Sequence, residues 1–311
     1  MKYLFLSVVL TFSVVSTYAN TLETIVSVKT ENGELEGTLL TSEKNSKNHV
    51  ALIIAGSGPT DRNGNSAQFT NDSLKMLAHA LAKEGISSLR YDKRGVGKSK
   101  DVGLNESELR FEDYINDAKI LVDYLDNQVG FKNIIVIGHS EGSLVGMVAS
   151  QQKNVAKFVS IAGAGQPIDQ TIREQLKAQP PGVLEQSTPI LDKLSEGKTV
   201  DNVPPFLNSL FRPSIQPYMI SWFKYNPQKE IAKLNKPVMI IQGNTDIQVS
   251  IKDANKLASA NKKSQKVIIK KMNHIFKEAP LDTQDNFKTY NQPELPIKSE
   301  LVQVISQFVK Y

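Results

Sequence analysis

The sequence predicts an α/β protein: a parallel sheet covered by helices on both faces, with a helical cap inserted between two strands. Short apolar runs alternate with amphipathic stretches of helical period. Unbroken Ile/Val runs are typical of strands buried on both faces. The alternation stops between about residues 165 and 235, where a segment rich in proline and aromatic residues is too long for a plain loop.

These patterns locate the elements in order. The predicted strands are residues 25–30, 35–41, 50–55, 86–91, 134–137, 158–162, 238–242 and 267–269. The predicted helices are residues 71–84, which stop at Gly85, then 111–129, 143–152, 251–260 and 300–309. The sheet core is expected to comprise residues 20–165 and 235–311, and the cap residues 166–234.

Residues 1–19 have the pattern of a secretory signal peptide. Lys2 precedes a largely apolar run, and the small Ala19 precedes Asn20. The run is too short and too rich in Ser and Thr to favour a stable membrane anchor. We therefore expect an exported protein, periplasmic or secreted. The chain contains no cysteine, which excludes disulfides, thiolate catalysis and cysteine-based metal sites.

The charge pattern favours no nucleic-acid partner. The net charge is +5, and the lysines are dispersed rather than gathered in a stripe. Residues 94–99 resemble the end of a phosphate-binding loop, but position 92 is Asp where that loop needs Gly. Residues 56–58 begin like a dinucleotide fingerprint, but Asp61 stands in place of its third glycine. We expect no metal and no cofactor; the sequence does not define the oligomeric state.

The candidate nucleophile is Ser140, in Gly138-His139-Ser140-Glu141-Gly142. A strand before it and a helix after it are the context that this Gly-x-Ser-x-Gly turn requires. The turn exposes the hydroxyl, and the following helix N-terminus favours developing negative charge. The alternative is an ordinary strand-to-helix turn with a capping serine.

The candidate base is His274, because it follows the last predicted strand, at the sheet edge where α/β proteins place catalytic groups. Its orienting acid should follow the preceding strand. Asp246 does so, which gives the chain order Ser, Asp, His. Asp253 and Glu278 are the alternative acids, and a helix-capping role is the alternative for Asp246. His139 is expected to point away from the turn apex.

An oxyanion hole needs two N–H donors near the nucleophile. Glu141, the residue after Ser140, should supply one backbone N–H. The loop after strand 50–55 should supply the other, and we assign Ser57 N–H, since its glycine neighbours leave the amides unobstructed.

Taken together, the chain resembles the α/β-hydrolase superfamily, and in particular bacterial members related to the serine aminopeptidase and dienelactone hydrolase groups. The resemblance covers nearly all of the chain after residue 19. It is carried by residues 56–65, by 91–99 with the Asp-x-Arg-Gly-x-Gly-x-Ser loop, and by 138–142, 242–246 and 272–274. The resemblance implies a mostly parallel eight-stranded sheet, a Ser140–Asp246–His274 triad and no cofactor. Many relatives begin the oxyanion loop with His-Gly, whereas position 55 is Ala, so loop bracing must differ. Asp61 and Arg62 are candidates for that bracing.

The leading functional hypothesis is an exported serine hydrolase that cleaves small-molecule carboxylic esters through an acyl-enzyme. Among the cap aromatics, Phe211, Tyr218 and Trp222 are candidates for contacting an apolar acyl or alcohol group of the substrate. A lid that only shields the site from solvent is the alternative role for them. Alternatives on the same triad are an aminopeptidase or amidase, with Glu141 as a candidate amine-binding group, a thioesterase and an acyltransferase. A dehalogenase is disfavoured, since it would have Asp at position 140. From another class, the chain could be a non-catalytic ligand-binding relative.

Overall fold

One twisted eight-stranded sheet organises the protein in the computed structural model, which describes residues 21–44, 48–103 and 105–311. The predicted signal peptide lies outside these residues. The strands are β1 (Thr21–Thr30), β2 (Gly33–Ser42), β3 (His49–Ile54), β4 (Ser87–Tyr91), β5 (Asn133–His139), β6 (Val155–Ile161), β7 (Val238–Gly243) and β8 (Gln265–Ile269).

The sheet order is β1-β2-β4-β3-β5-β6-β7-β8. The β1–β2 and β2–β4 pairs are antiparallel, and the pairs from β4–β3 to β7–β8 are parallel. The fold class predicted from the sequence is therefore confirmed. β3 and β5 lie at the centre, so the loops that follow them meet at one edge of the sheet.

Helices cover both faces and fill the long connection between β6 and β7. They are α1 (Ser73–Lys83), α2 (Phe111–Asp123), α3 (Glu141–Ala149), α4 (Ile168–Leu176), α5 (Val183–Ser195), α6 (Asn208–Phe211), α7 (Gln216–Phe223), α8 (Pro227–Ala232), α9 (Ile251–Ala260), α10 (Thr283–Lys288) and α11 (Ser299–Lys310). A π-helical turn over Tyr124–Val129 extends α2 to the end of the predicted helix. The sequence patterns do not predict α10.

The apolar strands alternate between two cores. In β3, Val50, Leu52 and Ile54 pack with α2 and α3, whereas Ala51 and Ile53 pack with α1 and α11. Both sets are almost fully buried, which explains why the run shows no polar alternation.

The cap has an apolar core of its own, contributed by α4 to α7. Its buried members are Ile172, Leu176, Ile190, Leu191, Leu194, Leu207, Phe211 and Met219. α8 instead packs against α3 and α9, and its Ile231 belongs to the sheet core. The last helix of the predicted insertion 166–234 therefore packs on the sheet core and not on the cap core.

Candidate active site

Ser140 occupies a strained turn between β5 and α3. Its backbone has φ 54° and ψ −119°, a combination that non-glycine residues rarely adopt. A Cβ on Gly138 would lie 2.2 Å from the Gly142 carbonyl oxygen, and one on Gly142 would lie 2.5 Å from the Ile54 and Ala55 carbonyl oxygens. The turn needs glycine at both positions, because neighbouring backbone atoms occupy the space that a side chain would fill.

Asp246 and His274 meet at the ends of neighbouring strands. Asp246 follows β7 and His274 follows β8, and His274 Nδ1 lies 2.9 Å from Asp246 Oδ2. Since an ionised carboxylate only accepts hydrogen bonds, Nδ1 carries the proton and Nε2 is left free to accept one. Ser140 and His274 line the same cavity. The structure thus brings the three predicted residue types to one sheet edge.

The Asp246 carboxylate is held from several sides. Gln242 Nε2 donates to Oδ2 at 2.9 Å, and the backbone N–H groups of Gln248 and Val249 donate to Oδ1 at 2.8 and 3.0 Å. Burial alone would raise the pKa of Asp246, but His274 and these backbone donors lower it below its usual value. The carboxylate therefore stays ionised beside the imidazole.

The two alternative acids are paired with other groups, although Asp253 lines the same cavity as Ser140 and His274. Asp253 accepts hydrogen bonds from Ser250, at the start of α9, and from the Gly165 N–H. Glu278 is exposed and pairs with Lys298 at 2.8 Å. Neither is the partner of the His274 ring.

His139 contacts the candidate base His274, an interaction that the sequence did not indicate. Its ring lies 4.7 Å from the His274 ring, and Nε2 lies 2.9 Å from the His274 carbonyl oxygen, so Nε2–H donates. Burial lowers the pKa of His139 to about 3, which keeps the ring neutral. It lines the same cavity as Ser140 and His274, contrary to the expectation that it points away from the turn apex.

Lys93 anchors the predicted oxyanion loop. Its side chain is 1% exposed, and Nζ donates to the Gly56 carbonyl oxygen at 2.5 Å. That carbonyl and the Ser57 N–H belong to one peptide unit, in which a trans bond makes them point in opposite directions. Fixing the Gly56 carbonyl therefore fixes the direction of the Ser57 N–H.

The same ammonium group joins a buried network that reaches the cap. Lys93 Nζ lies 3.3 Å from Glu141 Oε2 and 5.0 Å from the centre of the Tyr114 ring. The Tyr218 hydroxyl, on α7, donates to Glu141 Oε1 at 2.6 Å. Burial, together with the Glu141 charge, raises the pKa of Tyr218 well above its usual value, so the phenol remains a donor.

Asp92 braces the oxyanion loop from β4. It accepts hydrogen bonds from the Arg62 backbone N–H at 2.8 Å and from Arg62 Nη2 at 2.7 Å. Asp61 instead caps its own turn, by accepting from Asn63 and Asn65 at 2.8 Å each. The bracing proposed for Arg62 is thus present in the structure, whereas Asp61 acts only locally.

Two cavities meet at Ser140. The larger, of about 900 Å³, is lined by His274 and by polar groups that include Gln68, Asn71 and Glu174; we call it the histidine-side cavity. The smaller, of about 400 Å³, lies beneath α4 and α7; we call it the cap cavity. Ser57 lines both, as Ser140 does.

The three cap aromatics singled out in the sequence have different surroundings. Tyr218 and Trp222 line the cap cavity, and Trp222 stacks on Phe111 with ring centres 5.5 Å apart. Phe211 is fully buried among the cap's own apolar residues and lines neither cavity. Its proposed substrate contact is therefore not supported, because its side chain completes the cap core.

No sequence signal pointed to the roles of Lys93 and His139. Lys93 occupies the variable position of the Asp-x-Arg-Gly loop, where a lysine suggests a solvated side chain. Its role depends on Gly56 and Glu141, which are distant in sequence. Only the sheet order, which puts β4, β3 and β5 side by side, brings them together.

Comparisons with known proteins bear on the family and the fold of the chain. A family model described as "Serine aminopeptidase, S33" matches residues 70–212. The chain is 27% identical to Esterase EstD of Thermotoga maritima over 235 residues, which is 73% of this chain and 54% of EstD. It therefore spans about half the length of that relative.

Solved structures share the fold across almost the whole chain. The Pyrococcus furiosus esterase Pf2001 superposes with a TM-score of 0.58 at 18% identity, covering 97% of this chain and 94% of that one. Est1E from Butyrivibrio proteoclasticus, solved with ferulic acid bound, superposes with a TM-score of 0.63 at 17% identity, covering 92% and 100%. The protein therefore has the α/β-hydrolase fold, and part of its sequence is similar to the serine aminopeptidase family and to an esterase.

Proposed function

We propose that this protein is a serine hydrolase that cleaves carboxylic esters of small molecules through a covalent acyl-enzyme. The observation that carries the proposal is the Asp246–His274 hydrogen bond of 2.9 Å beside a cavity that His274 shares with the strained Ser140. A nucleophile, its base and the acid that orients the base are the three parts that acyl transfer of this kind requires.

In the first half of the reaction, Ser140 Oγ attacks the ester carbonyl carbon while His274 Nε2 takes the hydroxyl proton. The carbonyl oxygen becomes an oxyanion, which the N–H groups of Ser57 and Glu141 stabilise. The tetrahedral intermediate then expels the alcohol, whose oxygen receives the proton from His274. Asp246 keeps the imidazole in the required tautomer and stabilises its transient positive charge.

In the second half, water replaces the alcohol. His274 takes a proton from the water, whose oxygen attacks the acyl carbon, and the second intermediate releases the carboxylic acid. The proton returns to Ser140 Oγ, so the enzyme is restored and one water is consumed.

An ester substrate is favoured over a peptide with a free amino group. The reason is that the carboxylate of Glu141, which follows Ser140 in the chain, already pairs with Lys93. Glu141 would be the amine-binding group of an aminopeptidase, but its carboxylate is occupied by Lys93 and by the Tyr218 hydroxyl. A substrate ammonium would have to displace the buried Lys93. The named relatives, Esterase EstD and the Pyrococcus esterase, support the same choice.

We also propose that the protein is exported, periplasmic or secreted, on the strength of the signal-peptide pattern in residues 1–19. Within the described residues, no helix has the length and apolar character needed to cross a bilayer. N-terminal sequencing of the protein recovered from the periplasm and medium of its host tests the proposal. A chain that starts at Asn20 is expected, and a chain that keeps Met1 in the cytosol contradicts it.

A fluorophosphonate probe separates the hydrolase from a non-catalytic ligand-binding relative, since it reacts only with an activated serine. We expect labelling of the wild-type protein and none of Ser140→Ala. Ser150→Ala is the matched control, because Ser150 follows α3 and its buried hydroxyl has no hydrogen-bond partner among the described residues. Absence of label on the wild type, or undiminished label on Ser140→Ala, contradicts the proposal.

The leaving group is tested separately. p-Nitrophenyl esters, aminoacyl anilides and acyl thioesters are compared by kcat/KM with the same enzyme preparation. We expect the esters to be the preferred substrates, and hydrolysis of anilides alone would establish an aminopeptidase instead.

A further inference from the structure

The two cavities that meet at Ser140 differ in chemistry. Side chains lining the cap cavity are mainly apolar: Leu144, Ile168, Ile172, Leu210, Met219 and Trp222. The two charged residues on its wall, Glu141 and Arg212, are already paired with Lys93 and Glu106. An occupant of the cap cavity therefore finds apolar surface and no unpaired charge.

The histidine-side cavity is larger and more polar. Thr60, Gln68, Asn71, Glu174 and Gln179 contribute hydroxyl, amide and carboxylate groups to its wall. A hydroxyl-bearing group that enters this cavity can exchange its water contacts for these polar groups, of which the cap cavity offers fewer. Apolar side chains, among them Phe69, Ile275 and Phe287, also line the histidine-side cavity.

The position of the base decides which part of an ester enters which cavity. The alcohol oxygen must be close to His274 when the tetrahedral intermediate collapses, because His274 gives it a proton. His274 lines the histidine-side cavity and not the cap cavity. Glu141, whose N–H faces the developing oxyanion in the proposed mechanism, lines the cap cavity alone. The alcohol then occupies the histidine-side cavity, and the acyl group is left with the cap cavity.

We infer that the substrates are esters of an apolar acyl group with a short or polar alcohol, the acyl group binding in the cap cavity. The inference rests on the serine-hydrolase function proposed above. The cap cavity, at about 400 Å³, falls within the usual size of small-molecule sites, about 300–1,000 Å³. It has room for an acyl chain of several carbons.

Two isomeric esters test the orientation without any mutation. Ethyl octanoate and octyl acetate have the same formula and the same apolar content, but the long chain is on the acyl side in one and on the alcohol side in the other. A methylene in an apolar pocket changes kcat/KM by about 10-fold or more, so we expect ethyl octanoate to be preferred at least about 10-fold. Equal rates, or a preference for octyl acetate, would overturn the inference.

A matched pair of substitutions assigns the cavities. Ile168 lines only the cap cavity and Ile247 only the histidine-side cavity. Ile168→Trp fills the cap cavity. We expect it to lower kcat/KM for ethyl octanoate relative to ethyl acetate by at least about 10-fold. Ile247→Trp should leave that ratio within about twofold and lower instead the ratio of octyl acetate to ethyl acetate. Similar shifts in both variants contradict the assignment.

Failure of this inference is distinguishable from failure of the proposed function. Fluorophosphonate labelling at Ser140 with the opposite ester preference refutes only the acyl assignment. Labelling with cleavage of neither isomer also counts against the assignment. Absence of labelling refutes the serine-hydrolase function itself.

Discussion

Replacing Lys93 with Met tests whether the buried network of Lys93, Glu141 and Tyr218 stabilises the fold. The ammonium group is removed, while a side chain of similar length remains. Glu141 then keeps a buried carboxylate with Tyr218 as its remaining side-chain donor, and the Gly56 carbonyl oxygen loses the Lys93 donor. Breaking a buried ion pair by removing one partner costs about 3–5 kcal/mol. A loss of that size is a large fraction of a typical free energy of unfolding, about 5–15 kcal/mol.

The same substitution should also lower turnover. Without Lys93 the peptide unit that links Gly56 to Ser57 can rotate, so the Ser57 N–H is no longer held in one direction. Loss of one oxyanion donor typically lowers kcat by about 10²–10³-fold. We expect a smaller decrease than this, of at least about 10-fold in kcat, with KM changed less, because the donor is misoriented rather than removed.

Urea unfolding measures the stability effect. Trp222 is the single tryptophan and stacks on Phe111 beside the network, so its fluorescence reports on this region, and far-UV circular dichroism reports on the whole fold. Lys132→Met is the matched control, since Lys132 is exposed and pairs with Asp126 at the surface. Its unfolding midpoint should stay at the wild-type value.

The double variant Lys93→Met, Glu141→Gln shows whether the cost comes from the unpaired charge. The amide introduced by Glu141→Gln is neutral and still accepts the hydroxyl of Tyr218. The double variant should therefore be more stable than the sum of the single losses, by about 0.5–3 kcal/mol. A Lys93→Met variant destabilised by less than about 1 kcal/mol, or strict additivity in the double variant, would refute the reasoning.

Three further predictions concern the triad, the turn and the loop brace. Asp246→Asn offers an amide to His274 Nδ1 and favours the wrong tautomer, so kcat should fall on the order of 10⁴-fold while the unfolding midpoint changes little. Gly142→Ala puts a Cβ 2.5 Å from two carbonyl oxygens, so fluorophosphonate labelling should be lost and urea unfolding should show about 1–3 kcal/mol of destabilisation. Burial would raise the pKa of Asp92, but Arg62 and backbone donors lower it, so its contribution to stability is present above the unfolded pKa of about 3.9 and is lost as pH falls through the lower folded value. Thermal melts should show a smaller acid-induced decrease for Asp92→Asn than for the wild type, and equal slopes below about pH 4 would contradict this.

The sheet could be predicted because its signal is local. The central strands β3 and β5 are runs of Ile, Val, Leu or Ala bounded by Gly or a polar residue, and both of their faces are covered. Helix boundaries were less accurate: α3 starts at Glu141, two residues before the apolar periodicity suggests. The Ser140 turn itself forces that early start, since the helix follows at once.

The triad residues could be proposed from chain order, but the network around them could not. Ser140, Asp246 and His274 each follow a predicted strand, so topology alone puts them at one edge. The contact between Lys93 and Glu141 depends on side-chain directions in a buried loop, and no periodic pattern encodes these. The π-helical geometry at the end of α2 was not predicted either. The short α10 was missed because Asn286 is its single buried residue, so the helix has no apolar stripe.

Glu141 connects the cap with the proposed oxyanion hole, because its side chain contacts the first and its backbone belongs to the second. Its N–H is a proposed oxyanion donor, and its carboxylate accepts the Tyr218 hydroxyl from α7. The Lys93 ammonium group joins that carboxylate to the Gly56 carbonyl, and hence to the Ser57 N–H, which is the second proposed donor. A displacement of α7 would therefore disturb both oxyanion donors as well as the wall of the cap cavity. The polar groups beneath the apolar cap cavity thus make the position of the cap and the geometry of the oxyanion hole depend on each other.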